Sequence, residues 1–297
     1  MYKGEKKVYV ICGPTGVGKT AVSLAMGNYA SVVLINMDMG QLYVPLTIGT
    51  AKPLWQYSGL EQRMFDVADA PQDYGVMQYR QEVEKIICNA WHADKIPVLV
   101  GGSLFYLKSL LYPLAYNTSG VSEGTWQELH RIDPVRAACI HPHDTYRIHR
   151  ALGMWKMHGT LPSACKPTLK TPWRWEIVWV HREREELYAR IEKRVVEMVH
   201  SGWQEEAETL RGTPWEAMVR RKNIIGYADI LDGGVSEDVI VKIAQKTRNY
   251  AKRQMTYWRG MKKAIEIDDR DKMIEMRTWN LTNGDIRLYL RQLWDTI

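Results

Sequence analysis

Gly13-Pro14-Thr15-Gly16-Val17-Gly18-Lys19-Thr20 is the stretch whose reading decides the fold. It satisfies G-x-x-x-x-G-K-[ST] at every fixed position. It follows an apolar run at 8–12 and precedes a helix-permissive run at 21–29, so motif and context agree on strand, phosphate loop and helix. Glycines let the backbone wrap close to phosphate oxygens, and amides at the helix N-terminus point at the anion. Lys19 adds charge and Thr20 is placed to reach Mg²⁺. The loop specifies a polyphosphate without saying which one, or what group is transferred.

The 297 residues suffice for one large domain carrying a smaller insertion, and 45% hydrophobic content excludes a disordered chain. A net charge of +6 suits an acidic partner such as nucleic acid, while any one of the 12 Trp and 16 Tyr, set against 2 Phe, reads first as core or surface filler, with stacking on bases the alternative. Cys12, Cys88, Cys139 and Cys165 are dispersed, with no metal-binding spacing, and read as free thiols in a reducing compartment. The apolar run at 8–12 is too short for a signal peptide, and no other run has the length to span a membrane. A cytoplasmic monomer without membrane association is expected.

After the first helix, the run 32–36 reads as a buried parallel strand, with Asp38 just beyond its end on the rim where the phosphate loop also emerges. Three roles remain open for Asp38 at this point: Mg²⁺ ligand, general base on an acceptor, or a cap. A polar loop at 48–53 brings Thr50 and Lys52 near the same rim. The run 96–100 reads as another buried strand ending in Gly101-Gly102-Ser103, which repeats the strand, small-residue turn, helix grammar. From 112 to 172 the texture changes. Pro113, Asn117 to Gly120, Pro134, Pro142, Pro162, Pro167 and Pro172 punctuate short helical pieces, with Asp144 as an N-cap ahead of Arg147 and Arg150. Leu187, Ile191, Val195, Met198 and Val199 recur at helical spacing, with Gly202 as a stop, and read as core packing without chemistry. A long helix over 236–260 pairs an apolar side (Val239, Ile243, Tyr250, Trp258) with a basic one (Lys242, Lys246, Arg253, and Arg248, Lys252 and Arg259 beside them), which reads as an RNA or phosphate surface.

Taken in order, several stretches resemble the tRNA dimethylallyltransferase (tRNA isopentenyltransferase) family over roughly residues 8–262. They are the phosphate loop; Asp38, Gln41 and Tyr43; Ile48-Gly49-Thr50-Ala51-Lys52-Pro53; the strand at 96–100 with Gly101-Gly102; Asp133-Pro134; His141-Pro142 with Asp144, Arg147 and Arg150-Ala151-Leu152; Ile225-Gly226-Tyr227; and Thr247-Arg248, Tyr250-Ala251-Lys252-Arg253-Gln254 and Trp258.

The resemblance implies a P-loop NTPase-like α/β fold, a parallel sheet flanked by helices with a small helical insertion domain. Residues 1–114 would form the first part of the core, 115–172 the tRNA-contacting insertion, and 173–297 the second part of the core with basic C-terminal helices. It makes Asp38 the general base, deprotonating the exocyclic amine of the adenosine 3′-adjacent to the anticodon as that nitrogen attacks dimethylallyl diphosphate. Lys19 and Thr20 act with it, and Gly13, Pro14, Thr15, Gly16, Val17, Gly18, Lys19, Thr20 and Ser103 hold the diphosphate with Mg²⁺ at Thr20. On the tRNA side it implies Asp38, Met39, Gly40, Gln41 and Ser103 at the rim, Tyr146, Arg147 and Arg150 in the insertion, and Arg248, Lys252 and Arg253 on the long helix, all directed at the anticodon stem-loop.

This chain departs from the family pattern in three places. Met39 stands where the family has Ser, Asn223 where it has Gln or Arg, and Ser103 where it commonly has Thr. The insertion also reads as shorter, and the zinc finger of some eukaryotic members has no counterpart, so a bacterial-type enzyme is implied. Transfer to free AMP, a small-molecule kinase, and an RNA-binding module with a vestigial nucleotide site are the alternatives.

Overall fold

Apolar runs bounded by turn residues form the middle of the sheet. The computed structural model describes residues 6–113, 122–165, 168–282 and 284–294. The first elements are β1 (Lys7–Cys12), α1 (Lys19–Met26), β2 (Val32–Asn36), β3 (Glu61–Arg63), α2 (Val76–His92), β4 (Ile96–Gly101) and α3 (Leu104–Leu111). Three helices come next, α4 (Trp126–Ile132), α5 (Pro134–Ala137) and α6 (Thr145–His158). The chain continues with β5 (Arg174–His181), α7 (Arg184–His200), α8 (Trp203–Thr209), α9 (Pro214–Arg221), α10 (Tyr227–Gly233), α11 (Glu237–Asp268), β6 (Ile274–Asn280) and α12 (Ile286–Trp294).

The six strands form one parallel sheet in the order β3-β2-β4-β1-β5-β6. Every residue of β2, and all of β1 after Lys7, is buried, as expected for strands covered on both faces. Cys12 pairs with Gly101, and Asn36 with Val100, so β1, β2 and β4 end level on one rim. In an open parallel sheet that rim is where ligands bind. β3 and β6 take the two edges. β3 has three residues, Glu61-Gln62-Arg63, and carries no apolar signal. β6 is recruited by pairing along the length of β5.

Two compact units divide the chain: 1–107 with 172–297, and 108–171. The division falls inside α3, ahead of the Pro113 break where the composition changes. Asn117 to Gly120 and Pro167 lie outside the described residues. In the large unit one core joins the sheet to α1, α7 and α12. A second core gathers Tyr43, Leu46, Trp203, Tyr227 and Ile243 under α7 to α11. The small unit has its own core of Leu129, Ala137, Ile140, Ile148, Ala151 and Leu152. There Asp144 caps α6, accepting the Arg147 amide at 3.0 Å. Asp133 caps α5 at Arg136 (2.9 Å) and also takes the Ser163 amide at 2.8 Å.

α11 runs to Asp268, past the stop at 260 that the sequence suggests. Trp258, Met261 and Ile265 are all buried at helical spacing, and a Cβ at Gly260 would meet nothing within 4 Å. Burial of that stripe therefore outweighs the roughly 1 kcal/mol propensity cost of one glycine.

Candidate active site

The phosphate loop leaves β1 through Gly13, where a Cβ would stand 2.5 Å from the Val180 carbonyl oxygen. It enters α1 through Gly18, whose φ of 107° lies in the left-handed region. Cations hold its carbonyl oxygens. Lys19 Nζ donates to those of Gly13 and Pro14, each at 3.0 Å. Arg190 Nε donates to Gly16 O and Arg182 Nε to Val17 O, both at 2.9 Å. With four carbonyls engaged by basic side chains, the loop is a site of concentrated positive charge.

A cavity of about 480 Å³ opens over this loop, lined by Gly16, Gly18, Lys19 and Thr20, by Asp38 and Gln41, and by Arg190, Lys193 and Arg194 from α7. A second cavity of about 330 Å³ is lined by Met39, Gly40, Gly49, Ser103, Asn223, Tyr250 and Arg253, with Ile191, Val195, Met198, Ile224 and Ile225 as apolar wall. Among the described residues, Thr15, Asp38, Thr50 and Arg194 alone line both.

Asp38 thus stands where a polar, cation-rich space meets a more apolar one. Its Oδ1 accepts the Gly40 amide at 3.1 Å, and Asn36 Oδ1 holds the Asp38 amide at 2.9 Å, which fixes the turn after β2. Burial raises its carboxyl above the ordinary carboxylate range, against the pull of Lys19 and Arg194. Burial also lowers the Lys19 ammonium to about 8, although Asp38 opposes the shift.

Several residues expected at the rim serve first as braces. Ser103 Oγ accepts the Met39 amide at 3.1 Å, tying the β4 turn to the segment after β2. Gln41 Nε2 donates to Thr50 O (3.1 Å) and Ala51 O (3.2 Å). Lys52 is buried with its Nζ on Tyr43 O at 2.8 Å and on the Asp66 carboxylate, so it adds no charge to the rim. Gly101 is glycine because a Cβ would fall 2.0 Å from Met37 O. Met39 and Asn223, two departures from the family pattern, line the same cavity.

The basic side of α11 divides. Lys242 and Lys246 both bind Asp229, at 3.0 and 2.7 Å, and are structural. Arg248 is engaged by Glu192 and by Gln245 Oε1. Lys252 and Arg253 are exposed, and Arg253 lies over the Tyr250 ring at 5.7 Å. Trp258 is buried against Trp179, the rings 5.0 Å apart. In the small unit, α6 presents Tyr146 at 70% exposure, and Arg147 lies 3.4 Å from Asp144. Arg150 is half-buried.

α7 adds most to the sequence reading. Its apolar stripe does pack in the core, and Arg190, Lys193 and Arg194 on the same helix line the cavity over the glycine-rich loop. Two arginines at i and i+4 were the available signal. Gln254 and Glu206 carry no such signal, because they act on backbone atoms more than 150 positions away in the sequence.

The fold and loop define a P-loop α/β protein whose phosphate cradle shares an acid with a second cavity. The sequence pattern of the IPP transferase family matches residues 41–261. The tRNA dimethylallyltransferase of Pseudothermotoga lettingae is 33% identical over 278 residues, covering 87% of this chain and 88% of that protein. The chain belongs to the IPP transferase family. Its fold is similar to the crystal structure of the full-length tRNA isopentenylpyrophosphate transferase from Bacillus halodurans (TM-score 0.68, 26% identity, covering 98% of this chain and 95% of that one). It is similar also to a eukaryotic dimethylallyltransferase acting on tRNA (TM-score 0.74, 26% identity, covering 98% and 76%).

Proposed function

We propose that this transferase moves a dimethylallyl group from dimethylallyl diphosphate to the exocyclic amine of the adenosine 3′-adjacent to the anticodon of tRNA, releasing pyrophosphate. The carrying observation is that Asp38 lines both cavities. The diphosphate occupies the cradle of loop amides, Lys19 and Arg194, and the adenine enters from the second cavity. The amine nitrogen bonds to the allylic carbon as the carbon–oxygen bond to diphosphate breaks, and Asp38 takes the nitrogen's proton. The bonding pair leaves on the phosphate oxygen, where preorganised cations and amides receive the charge.

The exposed Thr20 hydroxyl and the Glu197 carboxylate give the cradle hard oxygen donors, which fit Mg²⁺ bound chiefly through substrate phosphates and water. Held at Thr20, the ion would supply further neutralisation of the leaving group. Tyr146, Arg147 and Arg150 on α6, and Lys252 and Arg253 on α11, suit phosphates and unstacked bases of an anticodon loop. Among the described residues no helix is long and apolar enough to cross a membrane, and a tRNA acceptor points to the cytoplasm.

The test is incubation with labelled dimethylallyl diphosphate and either unmodified tRNA or AMP. Label should enter tRNA, and Asp38→Ala should abolish transfer while leaving folding intact. Near-normal transfer by that variant would sink the base assignment, and label in AMP alone would replace the acceptor.

A further inference from the structure

α11 contributes a buried polar side chain that belongs neither to a cavity wall nor to the basic surface. Gln254 is 5% exposed. Its Oε1 accepts the Thr15 amide at 2.9 Å, and its Nε2 donates to Gly102 O at 2.9 Å. One primary amide therefore joins the two small-residue turns that end β1 and β4. Gly102 makes room for it, since a Cβ there would stand 2.2 Å from Gln254 Nε2 and 3.3 Å from Gly13 O.

Thr15 is the point at which this bond matters. It lines both cavities, and its hydroxyl lies 3.5 Å from Arg194 Nη1. Its amide is committed to Gln254, whereas the carbonyls on either side of it, those of Pro14 and Gly16, are held by Lys19 and Arg190. We propose that Gln254 is a positioning residue for the phosphate cradle. By holding the Thr15 amide against the β4 turn it sets the first half of the loop at the height where the remaining amides, Lys19 and Arg194 converge on a diphosphate. This rests on the donor reading given above.

A side-chain amide suits the task because it presents an acceptor and a donor side by side. Glutamate offers acceptors only, and would set a carboxylate against the Gly102 carbonyl oxygen. Methionine fills a similar volume and offers neither bond. The same stretch of α11 places Tyr250 and Arg253 on the second cavity, so one helix sets both the cradle's height and the wall facing it.

The experiment uses the full chain. Pyrophosphate affinity is measured by calorimetry, and kcat and both KM values are measured with dimethylallyl diphosphate and tRNA, for wild type, Gln254→Met and Gln254→Glu. Loss of the tether should weaken pyrophosphate about tenfold and raise the donor KM by a similar factor, leaving the tRNA KM within about twofold. Gln254→Glu should show the same split, so the proposal stays testable if the methionine variant folds poorly. Wild-type pyrophosphate affinity and donor KM in both variants would overturn it, as would equal losses toward donor and tRNA. A wild-type protein that binds no pyrophosphate would overturn the donor reading itself, and this inference with it.

Discussion

Removing the Glu206 carboxylate should unfold the loop that reaches both cavities. Glu206 Oε2 accepts the amides of Thr47 (3.0 Å) and Ile48 (2.7 Å), while Oε1 accepts the amide of Gly49 (3.0 Å) and the Tyr227 hydroxyl (2.7 Å). The three amides are half-buried, so water replaces part of what they lose, and about 1 kcal/mol each is a fair cost. Tyr227 is fully buried, and stranding its hydroxyl adds about 1–3 kcal/mol. Glu206→Ala should therefore destabilise by about 4–6 kcal/mol, a large share of the total for a domain. Glu206→Gln keeps one acceptor oxygen but turns an NH₂ group toward donors, and should lose roughly half as much. Urea unfolding monitored by tryptophan fluorescence gives the first number. Amide exchange at 47–49 locates the loss, and should accelerate there first. A change below about 1 kcal/mol with unchanged exchange would refute the idea that this carboxylate organises the loop.

The remaining predictions concern charge and close packing. On the proposed mechanism transfer requires Asp38 ionised and Lys19 protonated, so kcat/KM for the donor should rise with pH through an Asp38 value lifted by burial and fall again above about 8, where Lys19 loses its proton. A profile flat from neutrality to pH 10 would remove Lys19 from the cradle. Burial works to raise the Asp229 carboxyl, but hydrogen bonds from Lys246 and Lys242 outweigh it and hold the group below its ordinary 3.8. The stability this contributes is present above that value and is lost as pH falls through the lower folded-state value. The advantage of wild type over Asp229→Asn in denaturant melts should therefore shrink on acidification, and a gap constant down to pH 2 would contradict the pairing. At Gly49 a Cβ would stand 2.1 Å from Trp203 Nε1 and 2.6 Å from the Tyr227 ring, so Gly49→Ala should cost about 1–3 kcal/mol in the same assay, and a neutral effect would show that the Trp203 wedge yields.

What the sequence made legible follows from how local each signal is. The phosphate loop, the apolar strands β1, β2 and β4, and Asp38 at a strand end are written in consecutive residues, and parallel-sheet physics places them on one rim. Asp144 was legible as a cap because capping is local. β3 was not, since Glu61-Gln62-Arg63 forms a strand only by pairing with β2. α7 was half legible: its core stripe is periodic, but only the folded chain shows that Arg190 and Arg194 turn toward the phosphate cavity. Lys246 reads as RNA-facing from its helix position, yet Asp229, seventeen positions earlier, holds it. Charge on a helix face names a surface without saying what already occupies it.

On the proposed assignment of Asp38 as base, its placement would also account for a P-loop serving a reaction at carbon. An exocyclic adenine amine is a poor base, and its proton becomes easy to remove only as the new carbon–nitrogen bond draws electron density from nitrogen. A weak base is then sufficient, provided that it is ionised and aligned when the bond forms. Asp38 has the features that the proposed base needs: burial lifts its affinity for a proton, Lys19 and Arg194 oppose that rise, and the Gly40 amide fixes one oxygen. In the proposed mechanism the same two cations would face the departing diphosphate, so the charge that keeps the base ionised would also stabilise the leaving group. Replacing Arg194 should therefore reduce leaving-group stabilisation and raise the Asp38 pKa together, moving the acid limb of the rate profile upward as kcat falls. A slower enzyme with an unmoved acid limb would show that the two roles are separate.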